Sequence, residues 1–325
     1  MGRMIRSALC LFSMSLGHLL GQSPILAGTG YSNPSIIRVA PGQITTLFVT
    51  GLKTVLPSQP VRATSLPLPA TLAGISITLS QNGQQPSPIP LLSVQQMPIC
   101  SDGDVAPPQS GVTPDCLITA ITVQIPFELL LPPEGPTAAL AVNENGSLSK
   151  GFRVFSVSAN LHVLNWCDAF PPERLNICGG VATHGDGTPI TSDSPAKAGE
   201  TVVIYAFGLG QTTPAAKTGD AASMPAPTLR STIVAAQFDF RPNAMPSNPY
   251  AGPKSTGISG PAFVGLTPGQ VGLYQINVKI PETVPAVVPC STALGVASNL
   301  TIDIGSSTSG GLSFDGAPIC VEAPR

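Results

Sequence analysis

The chain is poor in charge and poor in aromatic residues. Asp, Glu, Lys and Arg make 10% of its 325 residues, and Phe, Trp and Tyr only 5%. It has a single Trp and three His. Each shortage removes a class of protein. Fifteen basic residues against 17 acidic ones leave no cationic footprint for a nucleic-acid backbone. Helical periodicity never persists beyond about two turns, which excludes coiled coils and helical bundles. Disorder is excluded too, because 42% of residues are hydrophobic and the formal charge is only −2. What the chain has in quantity is 36 Pro and 33 Gly, the residues that end strands and shape turns. An all-β, loop-rich protein long enough for two domains is expected.

The N-terminus carries the marks of a secretory leader over residues 1–25. Arg3 and Arg6 precede an apolar stretch from Ser7 to Leu20, and Gly21 supplies a small residue near a cleavage zone between about 22 and 28. The apolar stretch is short for a span of ~20 residues. Cys10 lies inside it behind Leu9, the wrong setting for a lipid anchor. No later segment approaches ~18 uninterrupted apolar residues, so no membrane span is expected after cleavage. The mature chain is expected to be secreted or held at the cell surface. Loss of Arg3 and Arg6 moves the formal charge from −2 to −4.

Cleavage also removes Cys10 and leaves Cys100, Cys116, Cys167, Cys178, Cys290 and Cys320. An even number in an exported chain implies three disulfides, with fifteen connectivities open. The spacing favours neighbours: 100–116, 167–178 and 290–320. Zinc sites want close C-x₂₋₄-C pairs and usually His. That spacing is missing and only His162 and His184 remain, so neither metal nor cofactor is expected.

The chain contains itself twice. Ala40-Pro41-Gly42-Gln43-Ile44-Thr45-Thr46-Leu47-Phe48-Val49-Thr50-Gly51-Leu52 returns at 197–209 as Lys-Ala-Gly-Glu-Thr-Val-Val-Ile-Tyr-Ala-Phe-Gly-Leu. Gly42 thus matches Gly199, and Gly51 matches Gly208. Residues 118–126 return at 273–281, each block ending in proline, Pro126 and Pro281. Two blocks in one order at nearly one offset indicate a duplicated domain. The blocks read as strands. β-branched and aromatic residues fill them, glycines bound the first, and Leu273 to Pro281 alternates wet and apolar positions. Segments 71–80, 231–240 and 296–304 supply further strands. Several short strands per repeat predict a β-sandwich over 26–157 and a second over 182–325. Residues 158–181, with Trp166 and two cysteines, are expected to form an ordered connector that restricts domain motion.

The second repeat resembles the Solibacter-type uncharacterised C-terminal domain family of exported acidobacterial proteins. The resemblance is carried by Thr183-His184-Gly185-Asp186-Gly187-Thr188, by Pro195 to Glu200 running into Tyr205 to Gly210, by Gly265 to Gly269, and by Val271 to Val278. Ser298-Asn299-Leu300-Thr301 completes it. It covers residues 182–304 and is degraded over 35–157, where Thr119 and Ala120 stand in place of Tyr274 and Gln275. The resemblance implies an extracellular setting and an immunoglobulin-like or TIG-like sandwich, hence two tandem immunoglobulin-like β-sandwich domains. It implies no activity, so it transfers no catalytic residue.

Chemistry is sparse. Gly311-Leu312-Ser313-Phe314-Asp315 approaches the G-x-S-x-G elbow of serine hydrolases, but Asp315 replaces the second glycine and the tail lacks a strand–turn–helix context. His184, Asp186, Asp193 and Thr188 form the densest polar cluster. It reads as a hairpin with Asp186-Gly187 as a type I′ pair rather than a weak Ca²⁺ site, which needs 6–8 oxygens. Asp102 and Asp104 read as turn residues in the same way. His184 names no partnered nucleophile. Among the aromatics, Tyr205 and Tyr274 are expected in the core, and Trp166 is expected to pack on a disulfide. Trp166 and Tyr250, the latter in a Pro/Asn-rich loop, are the candidate binding-loop residues. The reading is a non-enzymatic exported structural, adhesion or macromolecule-binding protein whose partner is an extracellular protein or glycan. The alternative is a carbohydrate-recognition module using Trp166 and Tyr250. An enzyme with an unfamiliar site near His184 and Asp186 is a third.

Overall fold

The structure is a computed structural model and describes residues 25–29, 37–57, 59–98, 116–168, 179–229, 233–251, 258–308 and 311–324. Cys100, Cys178, Tyr31, Asp102 and Asp104 lie outside these. Among the described residues there is no α-helix, and strands are arranged in four sheets.

Two sheets make the first sandwich. Its front sheet runs β1 (Ile25–Thr29), β3 (Ile44–Thr50), β8 (Leu117–Gln124), β7 (Leu91–Pro98), β4 (Val61–Arg62). Its back sheet runs β2 (Arg38–Val39), β11 (Phe152–Ser156), β9 (Thr137–Glu144), β5 (Ile75–Ser80), β6 (Ser87–Ile89), with β10 (Ser147–Leu148) paired to β9. In the second sandwich the front sheet runs β12 (His162–Val163), β14 (Thr201–Phe207), β19 (Tyr274–Lys279), β18 (Phe263–Leu266), β16 (Thr228–Leu229), β15 (Thr212–Thr213). β13 (Ala182–Thr183) also pairs with β14. The back sheet is β17 (Ile233–Asp239), β20 (Leu300–Thr308) and β21 (Gly311–Ile319).

Alternation builds each core, since one side of every strand faces the opposite sheet. Leu47, Val49, Ile121 and Val123 meet Ile77, Leu140, Val142 and Val154 in the first sandwich. Val202, Ile204, Ile276 and Val278 meet Phe238, Ile302, Ile304 and Ile319 in the second. Burying each such side chain stabilises the fold by about 1.5–3 kcal/mol. The duplication holds to the register: Leu47 faces Ile121 as Ile204 faces Ile276. Gly42 and Gly199 share positive φ of 71° and 73°, so the same left-handed turn opens both blocks.

The edge strand differs between the two. β1 pairs Ile25 with Thr50 and Thr29 with Leu47. Against the equivalent partners, His162 pairs with Phe207 and Ala182 with Ile204. One strand of the first sandwich is therefore split into β12 and β13, with residues 164–181 inserted between its halves. The insertion closes at its base, where Val181 N–H donates to Leu164 O (2.8 Å) and Trp166 N–H to Gly179 O (3.0 Å). The stretch expected as a connector thus contributes β12 to the second sandwich. β1 begins at Ile25, within the cleavage zone of the expected leader.

The two sandwiches interlock. Phe127, directly after the first repeat's Pro126, is 7% exposed and belongs to the second sandwich's core cluster. Thr218 Oγ1 accepts the Phe127 N–H (2.9 Å), and Gln124 Oε1 accepts the Gly219 N–H (2.6 Å). Leu68 N–H donates to Gly219 O at 2.8 Å, and Asn160 Nδ2 bonds Gln43 Oε1 at 3.3 Å. Cys290 and Cys320 form a disulfide, with Cα atoms 5.9 Å apart, that fastens the loop before β20 to the end of β21. Cys116 and Cys167 are disulfide-bonded as well.

Candidate functional site

A cleft of about 700 Å³ opens where the front sheet of the first sandwich meets the edge of the second. Its floor is the outer face of β3, β8 and β7, and register sets the order of side chains on it. Thr46 pairs with Thr122, Thr122 with Ser93, and Ser93 with Arg62 of β4. The next outward row is Phe48, Ala120 and Gln95. Thr46 and Thr122 join hydroxyls at 3.0 Å. Ser93, Gln95 and Arg62 make no side-chain hydrogen bond or ion pair among the described residues. The facing wall comes from the second sandwich, with Phe207, Leu164 and the His162–Asp168 pair.

His162 is the most perturbed titratable group of that wall. Its Nε2 lies 2.9 Å from Asp168 Oδ2 and its Nδ1 3.4 Å from Asp315 Oδ2. Burial alone lowers an imidazole pKa. Hydrogen bonds to the two carboxylates, and then their charges, outweigh it and push the value up to about 9. His162 is therefore an imidazolium at neutral pH. The carboxylates also serve the backbone, since Asp315 Oδ2 accepts Val163 N–H (2.8 Å) and Asp168 Oδ2 accepts Asn165 N–H (2.9 Å). Ser313 Oγ accepts Leu161 N–H at 2.8 Å. The residues that imitate a hydrolase elbow, Ser313 and Asp315, thus lie on strand β21 and bind the free edge of β12.

The polar cluster around His184 lines a second, open depression of about 650 Å³. Its turn departs from the expected type I′. Gly187 alone of the Asp186-Gly187 pair has positive φ (88°), Gly187 N–H donates to His184 O, and His184 N–H donates to Thr188 O. That is a type I turn with a glycine bulge, which spares Asp186 the left-handed region. Asp186 Oδ1 instead accepts the Thr188 N–H (2.9 Å) and hydroxyl (2.7 Å), which hold its carboxyl below the ordinary range.

The structure also brings together residues that the sequence kept apart. His184 Nδ1 lies 2.5 Å from Glu200 Oε1, and Nε2 lies 3.2 Å from Ser194 Oγ. The spacing is that of a Ser–His–Glu relay, but the backbone N–H groups at and just after Ser194 are engaged elsewhere rather than aimed at an oxyanion position. Ser194 N–H goes to Thr191 Oγ1, Ala196 N–H to Cys320 O and Lys197 N–H to Glu200 Oε2, while residue 195 is proline. Ser194's own carbonyl also stands 3.2 Å from Nε2. The cluster acts as a clasp that holds the 184–188 hairpin to the 191–200 loop.

Tyr274 is fully buried and its hydroxyl donates to Gly210 O; burial holds its phenol far above the ordinary range. Tyr205 differs from expectation: it points to the outer face of the front sheet, half-buried, 3.4 Å from Thr183 Oγ1. Trp166, 38% exposed, begins a 3₁₀ turn ending at Asp168, beside the cleft wall. Tyr250, 37% exposed, lies on the back sheet of the same sandwich, its ring over Gly305 and its hydroxyl 3.4 Å from Gly305 O. Its loop is pinned by Asp303, which accepts Ser247 N–H at 2.6 Å. The two candidate aromatics are therefore apart, Trp166 in the turn after β12 of the front sheet and Tyr250 in a loop over the back sheet. The Thr46–Thr122–Ser93–Arg62 row escaped sequence reasoning because its members come from four strands whose register no local pattern reveals.

Fold and cleft together define a tandem β-sandwich protein with an inter-domain groove. No family model matches the chain, and no curated protein matches it. Solved structures to which it is similar include a chimeric titin Z1Z2 functionalized with a KLER exogenous peptide from decorin. That similarity is at 11% identity and TM-score 0.18, covering 94% of this chain and 99% of that one. Another is titin A168169, at 12% identity and TM-score 0.20, covering 93% and 100%. The fold is defined by the sheets themselves.

Proposed function

We propose that this chain is an exported, non-enzymatic binding module that uses the inter-domain cleft to engage an extracellular macromolecule, in a structural or adhesive role. The observation that carries the reading is a concave site built jointly by two sandwiches that are pinned together. Sites at domain junctions are common places for ligands, and Phe127, Thr218 and Gly219 fix the junction's geometry. The resemblance of residues 182–304 to the Solibacter-type domain supports an exported setting, as does the Cys290–Cys320 disulfide. The clasp around His184, with the N–H groups of residues 194, 196 and 197 already engaged, supports a role without turnover.

The test is direct. Mature chain is immobilised and challenged with a printed panel of extracellular proteins and glycans. Saturable binding that disappears in Ala120→Trp, which fills the cleft floor from the sheet's outer face, is the expected result. Binding indifferent to Ala120→Trp overturns the reading. So does hydrolysis of a broad ester, glycoside or peptide panel that one point mutation abolishes.

A further inference from the structure

We infer that the cleft takes an oligosaccharide bearing at least one carboxylate, an inference that rests on the binding-module reading above. The floor decides the class of ligand. It is the face of a sheet, so the backbone groups of β3, β8 and β7 are consumed in their own ladders. An extended peptide gains most by pairing its main chain with a free strand edge, and this floor offers none. It offers side chains instead.

Thr46, Thr122 and Ser93 form a cross-strand row of hydroxyls, each able both to donate and to accept. Their strands lie ~4.7–4.9 Å apart, and the Thr46 and Thr122 hydroxyls lean together to 3.0 Å, so one of that pair spends its proton on the other while both keep acceptor positions open. The carboxamide of Gln95, free of protein partners among the described residues, adds a further donor and acceptor beside them. Sugar hydroxyls require this two-way chemistry, and the apolar faces of the rings find half-buried Phe48 and Phe207 at the floor and wall.

The row ends in Arg62, paired in register with Ser93. Of the other charged groups lining the cleft, His162 pairs with Asp168 and also lies 3.4 Å from Asp315 behind the wall, so that cluster offers no spare positive charge. Arg62 is left as a guanidinium with no carboxylate among the described residues, in a chain that has only 15 Lys and Arg altogether. A planar carboxylate on the sugar matches its two-pronged donor geometry.

Titration calorimetry of the full mature protein with a trigalacturonate and with a neutral trisaccharide of the same length tests the assignment. The acidic trimer is expected to bind at least tenfold more tightly, with affinity falling as salt rises. Arg62→Gln, at an exposed position that leaves the fold intact, is expected to erase that preference. Thr122→Val is expected to weaken both trimers. Equal affinity for the two trimers, or a preference untouched by Arg62→Gln, overturns the carboxylate assignment. If neither trimer binds while Ala120→Trp still abolishes capture of a purified protein ligand, the oligosaccharide class fails and the binding-module reading stands. If Ala120→Trp, checked by its thermal melt, alters no interaction at all, both fail.

Discussion

The two sandwiches share a plan and differ at its seams, and the position after the matched prolines shows how. In the first repeat it is Phe127, buried in the core of the other sandwich. In the second it is Glu282, whose exposed carboxylate pairs with Lys279 at 2.6 Å. The same turn geometry holds both, with Gly42 beneath Phe127 and Gly199 beneath Glu282. Duplication supplied two equal strand ends. Replacing one polar side chain with a ring converts an ordinary turn into a plug that joins two domains.

The largest effect is expected from exchanging that difference. Phe127→Ala should cost about 3–5 kcal/mol, the range for removing a buried aromatic, and urea melts should resolve into two transitions as the sandwiches uncouple. Glu282→Ala should change stability by no more than ~0.5 kcal/mol, as surface substitutions do. Equal costs for the pair would refute the plug.

A second contrast concerns pH. His162 occupies the place that Ile25 holds in the first sandwich, so only the second carries an imidazolium on its edge strand. A folded pKa of about 9 lies above the unfolded value near 6.5. The clamp's contribution is therefore fully present below about pH 6.5 and lost as pH rises through 9. Its ceiling is roughly 3 kcal/mol. Thermal melts from pH 6 to 10 should show the loss, and His162→Gln should flatten the profile; a profile unchanged by that substitution would sink the assignment.

The smallest contrast lies in the turns. Alanine at Gly42 or Gly199 pays the left-handed cost of about 1–2 kcal/mol. At Gly199 the new methyl meets the end of a flexible carboxylate, which can swing aside; at Gly42 it meets the ring of Phe127, which cannot. Gly42→Ala should thus be worse than Gly199→Ala by about 1–3 kcal/mol, the usual cost of overpacking. Matching denaturation midpoints would argue against a rigid plug.

Much of this plan was legible in the chain. Blocks 40–52 and 197–209 announced strands because alternation and bounding glycines are local signals, and Tyr274 announced itself as core by its place in such a block. β21 did not. Gly311, Gly316 and Pro318 disguise it, and it survives as a strand because it is an edge, where a missing N–H is tolerated. Phe127 read as the residue after a strand, since only the folded chain shows which core it enters. Ser194, His184 and Glu200 met for the same reason. Their contact depends on a loop conformation, and no spacing rule encodes it. The hydroxyl row and the Arg62 that ends it needed the register of four strands before they existed at all.

The open edge of β12 is capped by side chains. Leu161, Val163 and Asn165 are alternate residues, so their N–H groups point the same way, off the open side of the sheet. Ser313, Asp315 and Asp168 accept all three. An approaching strand from another copy meets donors that are already occupied. Exposed edges are where β proteins zip together into aggregates, and here three short side chains close that route without adding a residue to the sheet. The second sandwich is thereby kept from pairing edge to edge with another copy of the chain.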